Sequence, residues 1–167
     1  MTVRHHAHVT DAGLLLNGVA IDREIDLATY QQALGPPSST ISAGGPAPVG
    51  HRNNQIHLYD DRGIYLTEHH ATRLIGSINF VFECRDAAFS VSHAYDGELL
   101  VGPHAIRRGM HLDQLAQIGW KSDLPGSFHV VIGSCWIGAY AAPRLSRIGR
   151  EADRTKIVWV RICPGSV

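Results

Sequence analysis

Apolar positions along this chain come in short runs, and most of the runs stop at a glycine or a proline. Gly13-Leu14-Leu15-Leu16 runs into Asn17-Gly18, and Gly97-Glu98-Leu99-Leu100-Val101 runs into Gly102. Each predicts a short strand feeding a tight turn. Asn17-Gly18 is a type I′ hairpin signal, because both residues tolerate positive φ. The return strands are placed at Val19 to Ile21 and at His104 to Ile106. Helical spacing follows in both places: Ile25, Leu27, Tyr30 and Ala33 are matched, step for step, by Met110, Leu112, Leu115 and Ile118. One narrow apolar stripe of this kind predicts a packed amphipathic helix. Gly35 and Gly119 then stand where a left-handed C-cap is needed, and Pro36-Pro37 forbids continuation of the first helix.

Strand patterns resume beyond the helices. Gln55 to Tyr59 and Gly63 to Thr67 flank a turn at Asp60-Asp61-Arg62, while Phe128 to Ile132 and Cys135 to Ala141 flank Gly133-Ser134. Gly63-Ile64-Tyr65 has its counterpart at Gly138-Ala139-Tyr140. The last strands, Ile75 to Glu83 and Lys156 to Cys163, alternate with period two, which predicts one buried face and one less buried. The expected fold class is therefore α+β: two tandem hairpin–helix–three-strand units, 13–83 and 97–163, with antiparallel sheet and one shared core in a single domain. A single irregular α+β domain without duplication is the competing account.

Two segments break the correspondence. Residues 35–54 hold four Gly and four Pro with no periodicity, and are expected to form a long loop. Residues 142–155 hold Arg144, Arg147, Arg150 and Arg154 at spacings of three or four, which on a helix would share one face. That run is read either as a solvated surface or as a basic patch for an acidic partner.

Composition narrows the function without naming it. A hydrophobic fraction of 44% and a charged fraction of 18% are those of a foldable chain. Fifteen basic residues balance fifteen acidic ones, so no global field calls for nucleic acid or an anionic membrane. The apolar runs are far shorter than the roughly 18 residues that span a bilayer. Met1 to His8 lacks the apolar stretch of a secretory signal. Cys84, Cys135 and Cys163 form no CxxC pair and sit in apolar runs, which predicts reduced thiols and a cytoplasmic protein.

Candidate chemistry is sparse. His5, His6 and His8 are clustered, but in a terminal segment expected to be poorly ordered. Glu68-His69-His70 is not the HExxH arrangement, and no metal or cofactor is expected. Gly133-Ser134-Cys135-Trp136 lacks the GxSxG elbow, and residues 43–50 lack the Lys-Ser/Thr pair of a phosphate loop. A Cys135–His129 pair stays open, with a core cysteine the simpler account. No catalytic residues are assigned. Trp159 is expected in the core, and Trp120, just past Gly119, is expected to be exposed as an interface anchor.

The succession GLLLNGVAI, a short helix, 57-HLYDDRGIYL-66 and 75-IGSINFVFE-83 resembles small bacterial immunity-type proteins associated with secreted-toxin systems. The likeness covers 13–83, and its most specific part is Asp60, Asp61, Gly63, Ile64 and Tyr65. It implies a non-enzymatic protein that neutralises a cognate toxin by covering it, and it brings no catalytic residue to transfer. Candidate partner-binding residues are Asp60, Asp61, Arg62, Trp120, Arg144, Arg147 and Arg150. The alternatives are an enzyme of unrecognised type, such as one reversing a toxin modification, and a self-associating adaptor module.

Overall fold

The computed structural model describes residues 5–42, 54–84, 91–122, 124–141 and 155–167. The chain runs through β1 (His6–Thr10), β2 (Gly13–Leu16), β3 (Val19–Ile21), α1 (Leu27–Leu34), β4 (Ser39–Ser42), β5 (Gln55–Tyr59), β6 (Ile64–Glu68) and β7 (Ile75–Val81). It continues with β8 (Glu98–Val101), β9 (His104–Ile106), α2 (Leu112–Gln117), β10 (Ser127–Ile132), β11 (Cys135–Tyr140) and β12 (Trp159–Cys163). The fold is α+β and mostly β. Five strands form one sheet in the order β3-β2-β1-β8-β9, and seven form another in the order β10-β11-β12-β7-β6-β5-β4.

The local rules explain most of these elements. Asn17 (φ 48°) and Gly18 (φ 86°) take the positive φ values of the expected hairpin turn. Asp26 caps α1 by accepting from Thr29 N at 3.0 Å, and Gly35 (φ 72°) ends the helix with its N–H on Gln31 O at 2.7 Å. Ahead of α2, Gln114 Oε1 reaches back to accept from His111 N at 2.8 Å.

Four expectations are corrected. The N-terminal histidines are not a loose tail: His6 and His8 lie on β1, which is central in the five-stranded sheet, with Ala7 and Val9 buried at the alternate positions. That sheet is mixed rather than antiparallel, because β1 pairs in parallel with β8. The loop expected from 35 contains an edge strand, β4, and its stretch 43–53 lies outside the described residues. Finally, β7 is buried along its whole length, not on one face. Ile78 and Phe80 join the main core, while Val81 packs with Ile56, Leu58, Tyr65 and Val91 on the opposite face.

The main core is one contiguous cluster. It joins Val9, Leu14, Leu16, Leu99 and Val101 of the smaller sheet to Ile64, Leu66, Ile137, Val160 and Ile162 of the larger, with Tyr30, Leu34, Leu112 and Leu115 from the helices. The middle of the large sheet is the antiparallel pair β7–β12, in register Phe80↔Val160 and Ile78↔Ile162. Just ahead of each helix the backbone is tied to the first residue of β7 or to the residue two places before β12. Ile75 N donates to Ile25 O at 2.7 Å, and Ile157 N donates to Met110 O at 2.9 Å. The sequence match of Gly63-Ile64-Tyr65 with Gly138-Ala139-Tyr140 is out of step with this frame. Ile64 pairs with Phe80 and Ile137 pairs with Ile162, so the ladder sets Ile64 against Ile137, two residues earlier.

Candidate functional site

The β5–β6 turn, the end of α1, the start of β1 and the segment before β8 meet around a groove. It holds about 830 Å³ and is lined by His5, His6, Asn17, Asp61, Arg62 and Asp96, among others. A second cavity of about 420 Å³ shares His6 and Asp96 and adds Tyr95, Glu98, Arg107 and Arg108. Volumes of this order accommodate a small ligand or a few side chains of a partner.

The floor follows from the need to satisfy the carbonyls left open at the end of a helix. Asn17 Nδ2 donates to Ala33 O at 2.9 Å, the Arg62 guanidinium donates to Leu34 O, and Tyr59 Oη donates to Gly35 O at 3.2 Å. Arg62 also lies over the Tyr59 ring at 5.7 Å and within 3.5 Å of Asp61. Asn17 does more than make a turn. Its Oδ1 accepts from His6 N at 2.8 Å and its amide donates to His5 Nδ1 at 2.8 Å, so the His5 proton belongs on Nε2. Burial, and then the nearby Arg62 charge, hold the His5 pKa below its ordinary value. On the rim His6 Nδ1 faces Glu98 at 3.1 Å, and Arg108 is paired with Glu83 at 3.2 Å.

The expected partner-binding residues therefore separate. Asp61 lines the groove with its side chain 69% exposed, whereas Arg62 lines it but is committed to the helix end. Asp60 holds the turn in place: its N–H donates to Ser38 Oγ at 3.1 Å and its carbonyl accepts from His93 N at 3.1 Å. Trp120 is corrected: it is 5% exposed and belongs to the main core. Gly119, at φ 90°, turns the chain back at the end of α2, where Trp120 N donates to Leu115 O at 3.0 Å. Arg144, Arg147, Arg150 and Arg154 lie outside the described residues.

A second polar constellation has no sequence signal. Thr40, His57 and Glu68 come from three neighbouring strands. Thr40 stands opposite His57 in the β4–β5 ladder, and Glu68 is diagonal to His57 across β5–β6. Thr40 Oγ1 is 2.9 Å from His57 Nδ1, and His57 Nε2 is 2.7 Å from Glu68 Oε2. His57 and Glu68 are buried while Thr40 is exposed. Arg73 Nε approaches Glu68 Oε1 at 2.7 Å, out of line for a hydrogen bond. Spacings of 17 and 11 residues match no motif, so only strand pairing brings these groups together.

Other expected chemistry is resolved by sheet faces. Cys135 is in the core and burial pushes its thiol pKa up, while His129 stacks on Trp136 on the opposite face, so the two form no pair. Trp159 is only partly buried and stacks on Tyr140 at 4.8 Å, rather than sitting in the core. All three cysteines are free thiols. Among the described residues no three His, Cys, Asp or Glu side chains are grouped as a metal ion requires, and no helix is long and apolar enough to cross a membrane.

The molecule is thus a two-sheet α+β protein with a polar groove at the junction of its N-terminal strand, first helix and β5–β6 turn. By sequence, the chain belongs to the family described as Domain of unknown function (DUF7738), whose model matches residues 6–115. No curated protein matches it, and no solved structure does. The matched span begins at β1 and ends within α2, so it includes every residue that lines the two cavities except His5.

Proposed function

We propose that the protein is a cytoplasmic immunity protein that binds a cognate bacterial toxin, delivered by a contact-dependent secretion system, and neutralises it by occlusion. The observation that carries this reading is the groove. Its walls are fixed before any partner arrives, by the helix-end bonds of Asn17, Arg62 and Tyr59. A surface ordered in advance loses little conformational freedom on binding, so more of the contact energy appears as affinity. Asp61 along it, and Glu98 in the adjoining cavity, present exposed carboxylates suited to the basic side chains of a partner. The same turn carries the residues by which the sequence resembles immunity-type proteins.

The finer fold reading belongs with this one. We infer that 13–83 and 97–163 are diverged copies of one unit. The paired bonds Ile75–Ile25 and Ile157–Met110 support it, because the sequence repeat aligns Ile25 with Met110.

The test is to mix the purified protein with each toxin encoded beside its gene. A complex at micromolar concentration is expected, weakened at least about tenfold by Asp61→Arg, a loss of roughly 1.4 kcal/mol. Failure of every such toxin to bind at that concentration overturns the proposal.

A further inference from the structure

We propose that Thr40, His57 and Glu68 form a nucleophile–base–orienter relay that accepts acyl groups from activated esters at the edge of the seven-stranded sheet. This inference is independent of the toxin-binding groove and uses none of its residues. It begins with proton placement. Glu68, with Arg73 at 2.7 Å, is a carboxylate and can only accept, so the proton on the imidazole sits on Nε2 and bonds Oε2 at 2.7 Å. Nδ1 is then a bare lone pair, 2.9 Å from Thr40 Oγ1, and the threonine hydroxyl donates to it. That is the geometry in which a hydroxyl becomes a nucleophile: a base within hydrogen-bond reach, itself oriented by a third group.

Burial and exposure are divided as this chemistry needs. His57 and Glu68 are 5% and 2% exposed, while Thr40 lies on β4, the outermost strand of its sheet among the described residues, and is itself exposed. The pair is also costly as a structural device. It sits on the sheet face that carries Tyr59, Ile64 and Leu66 into the core, and apolar side chains of similar volume there cost less than a desolvated histidine and carboxylate.

The step balances within the protein and the ester. Thr40 Oγ1 bonds to the carbonyl carbon as its proton passes to His57 Nδ1, and the carbonyl π pair moves onto oxygen. When that pair returns, the bond to the alkoxy group breaks, and the leaving oxygen takes the proton from Nδ1. Thr40 is left as an ester, and water activated by the same Nδ1 releases the acid. Thr40 and His57 would be the catalytic residues. Glu68 acts through His57 and is a positioning residue.

The experiment treats the full chain with p-nitrophenyl acetate and follows nitrophenolate release, with peptide mass mapping of the acetylated position. Acetyl on Thr40 is expected, with a release rate that falls about 10²–10⁴-fold in Thr40→Ala and in His57→Asn, the usual contribution of a positioned base. Thr40→Ser should keep acetylation at residue 40. Glu68→Gln should lower the rate and move the pH at which it rises, which a purely structural role would not do in a folded variant. His57→Asn removes a buried group and can fail to fold. Thr40→Ala, at an exposed edge position, removes the hydroxyl that meets His57 Nδ1 and leaves the imidazole in place, so it decides the matter. Acetyl found elsewhere and not on Thr40, or unchanged release from folded Thr40→Ala, overturns the proposal.

Discussion

His5 illustrates how a single residue here answers to neighbours far away in sequence. Its Nδ1 accepts from Asn17, and burial together with Arg62 depresses its pKa. The folded protein therefore holds His5 neutral at a pH where the unfolded chain already binds a proton. Stability from this group is complete above the free imidazole value of about 6.5 and is lost progressively as pH falls below it and through the lower folded-state value. Urea unfolding of wild type and His5→Gln, between about pH 8 and about pH 5, should give a shallower decline for the variant. Parallel curves would show that His5 does not titrate in this way. Little of this was legible in the sequence. Asn17-Gly18 announced a turn, but nothing at Asn17 indicated that its side chain would bond His5, His6 and Ala33 at once. Local rules govern backbone conformation, while the partners of a side chain are set by which strands become neighbours.

Elements were legible where they obey a local period and were missed where they borrow stability from elsewhere. The β2–β3 and β8–β9 hairpins and the β5–β6 and β10–β11 pairs stand where alternation and turn residues put them. β1 was hidden because its outward positions are histidines, so His-Ala-His-Val read as a terminal cluster instead of an alternating strand. β4 was hidden because Ser39, Thr40, Ile41 and Ser42 are all exposed and carry no burial pattern. Its partner β5 alone makes it a strand. The Asp60-Asp61-Arg62-Gly63 turn shows the same dependence in a form that can be tested. A Cβ at Gly63 would come within 2.2 Å of Tyr95 N, and the residue holds φ +65°. Gly63 O accepts from Val81 N at 2.8 Å, and Val81 O accepts from Tyr95 N at 2.6 Å, so the backbone at 94–95 is laid directly on the hairpin. Gly63→Ala should cost more than the roughly 1–2 kcal/mol of holding an L side chain at left-handed φ, because space opposes it as well. Gly18 sits at φ +86° with nothing within 4 Å of its added Cβ, so Gly18→Ala isolates the conformational part. Equal losses in the two variants, measured by urea denaturation, would mean that the contact with Tyr95 carries no weight.

At the scale of the whole molecule, the question is whether the two halves behave as one cooperative body. Neither sheet belongs to one half. In the five-stranded sheet β1 and β8 are direct neighbours, and in the seven-stranded sheet the seam between halves is the β7–β12 ladder. The core crosses the same boundary, since Leu16, Phe80, Leu99 and Val160 lie in one cluster. A cluster shared in this way cannot lose one half and keep the other sealed from water. The prediction is a single unfolding transition that responds alike to damage on either side of the seam. Ile78 and Ile162 are directly paired there and both fully buried, so Ile78→Ala and Ile162→Ala should each cost about 2–5 kcal/mol. Each should lower the midpoint of the same transition, with tryptophan fluorescence and far-ultraviolet circular dichroism moving together. All three tryptophans, Trp120, Trp136 and Trp159, lie in the C-terminal half, so fluorescence reports that half while dichroism reports both. If Ile78→Ala shifted the dichroism midpoint and left the fluorescence midpoint in place, the halves would be separate folding units. The groove would then be a property of the N-terminal half alone, because the residues of the larger cavity all lie before β8. Coincident shifts would instead tie the shape of the groove to packing on the far side of the seam.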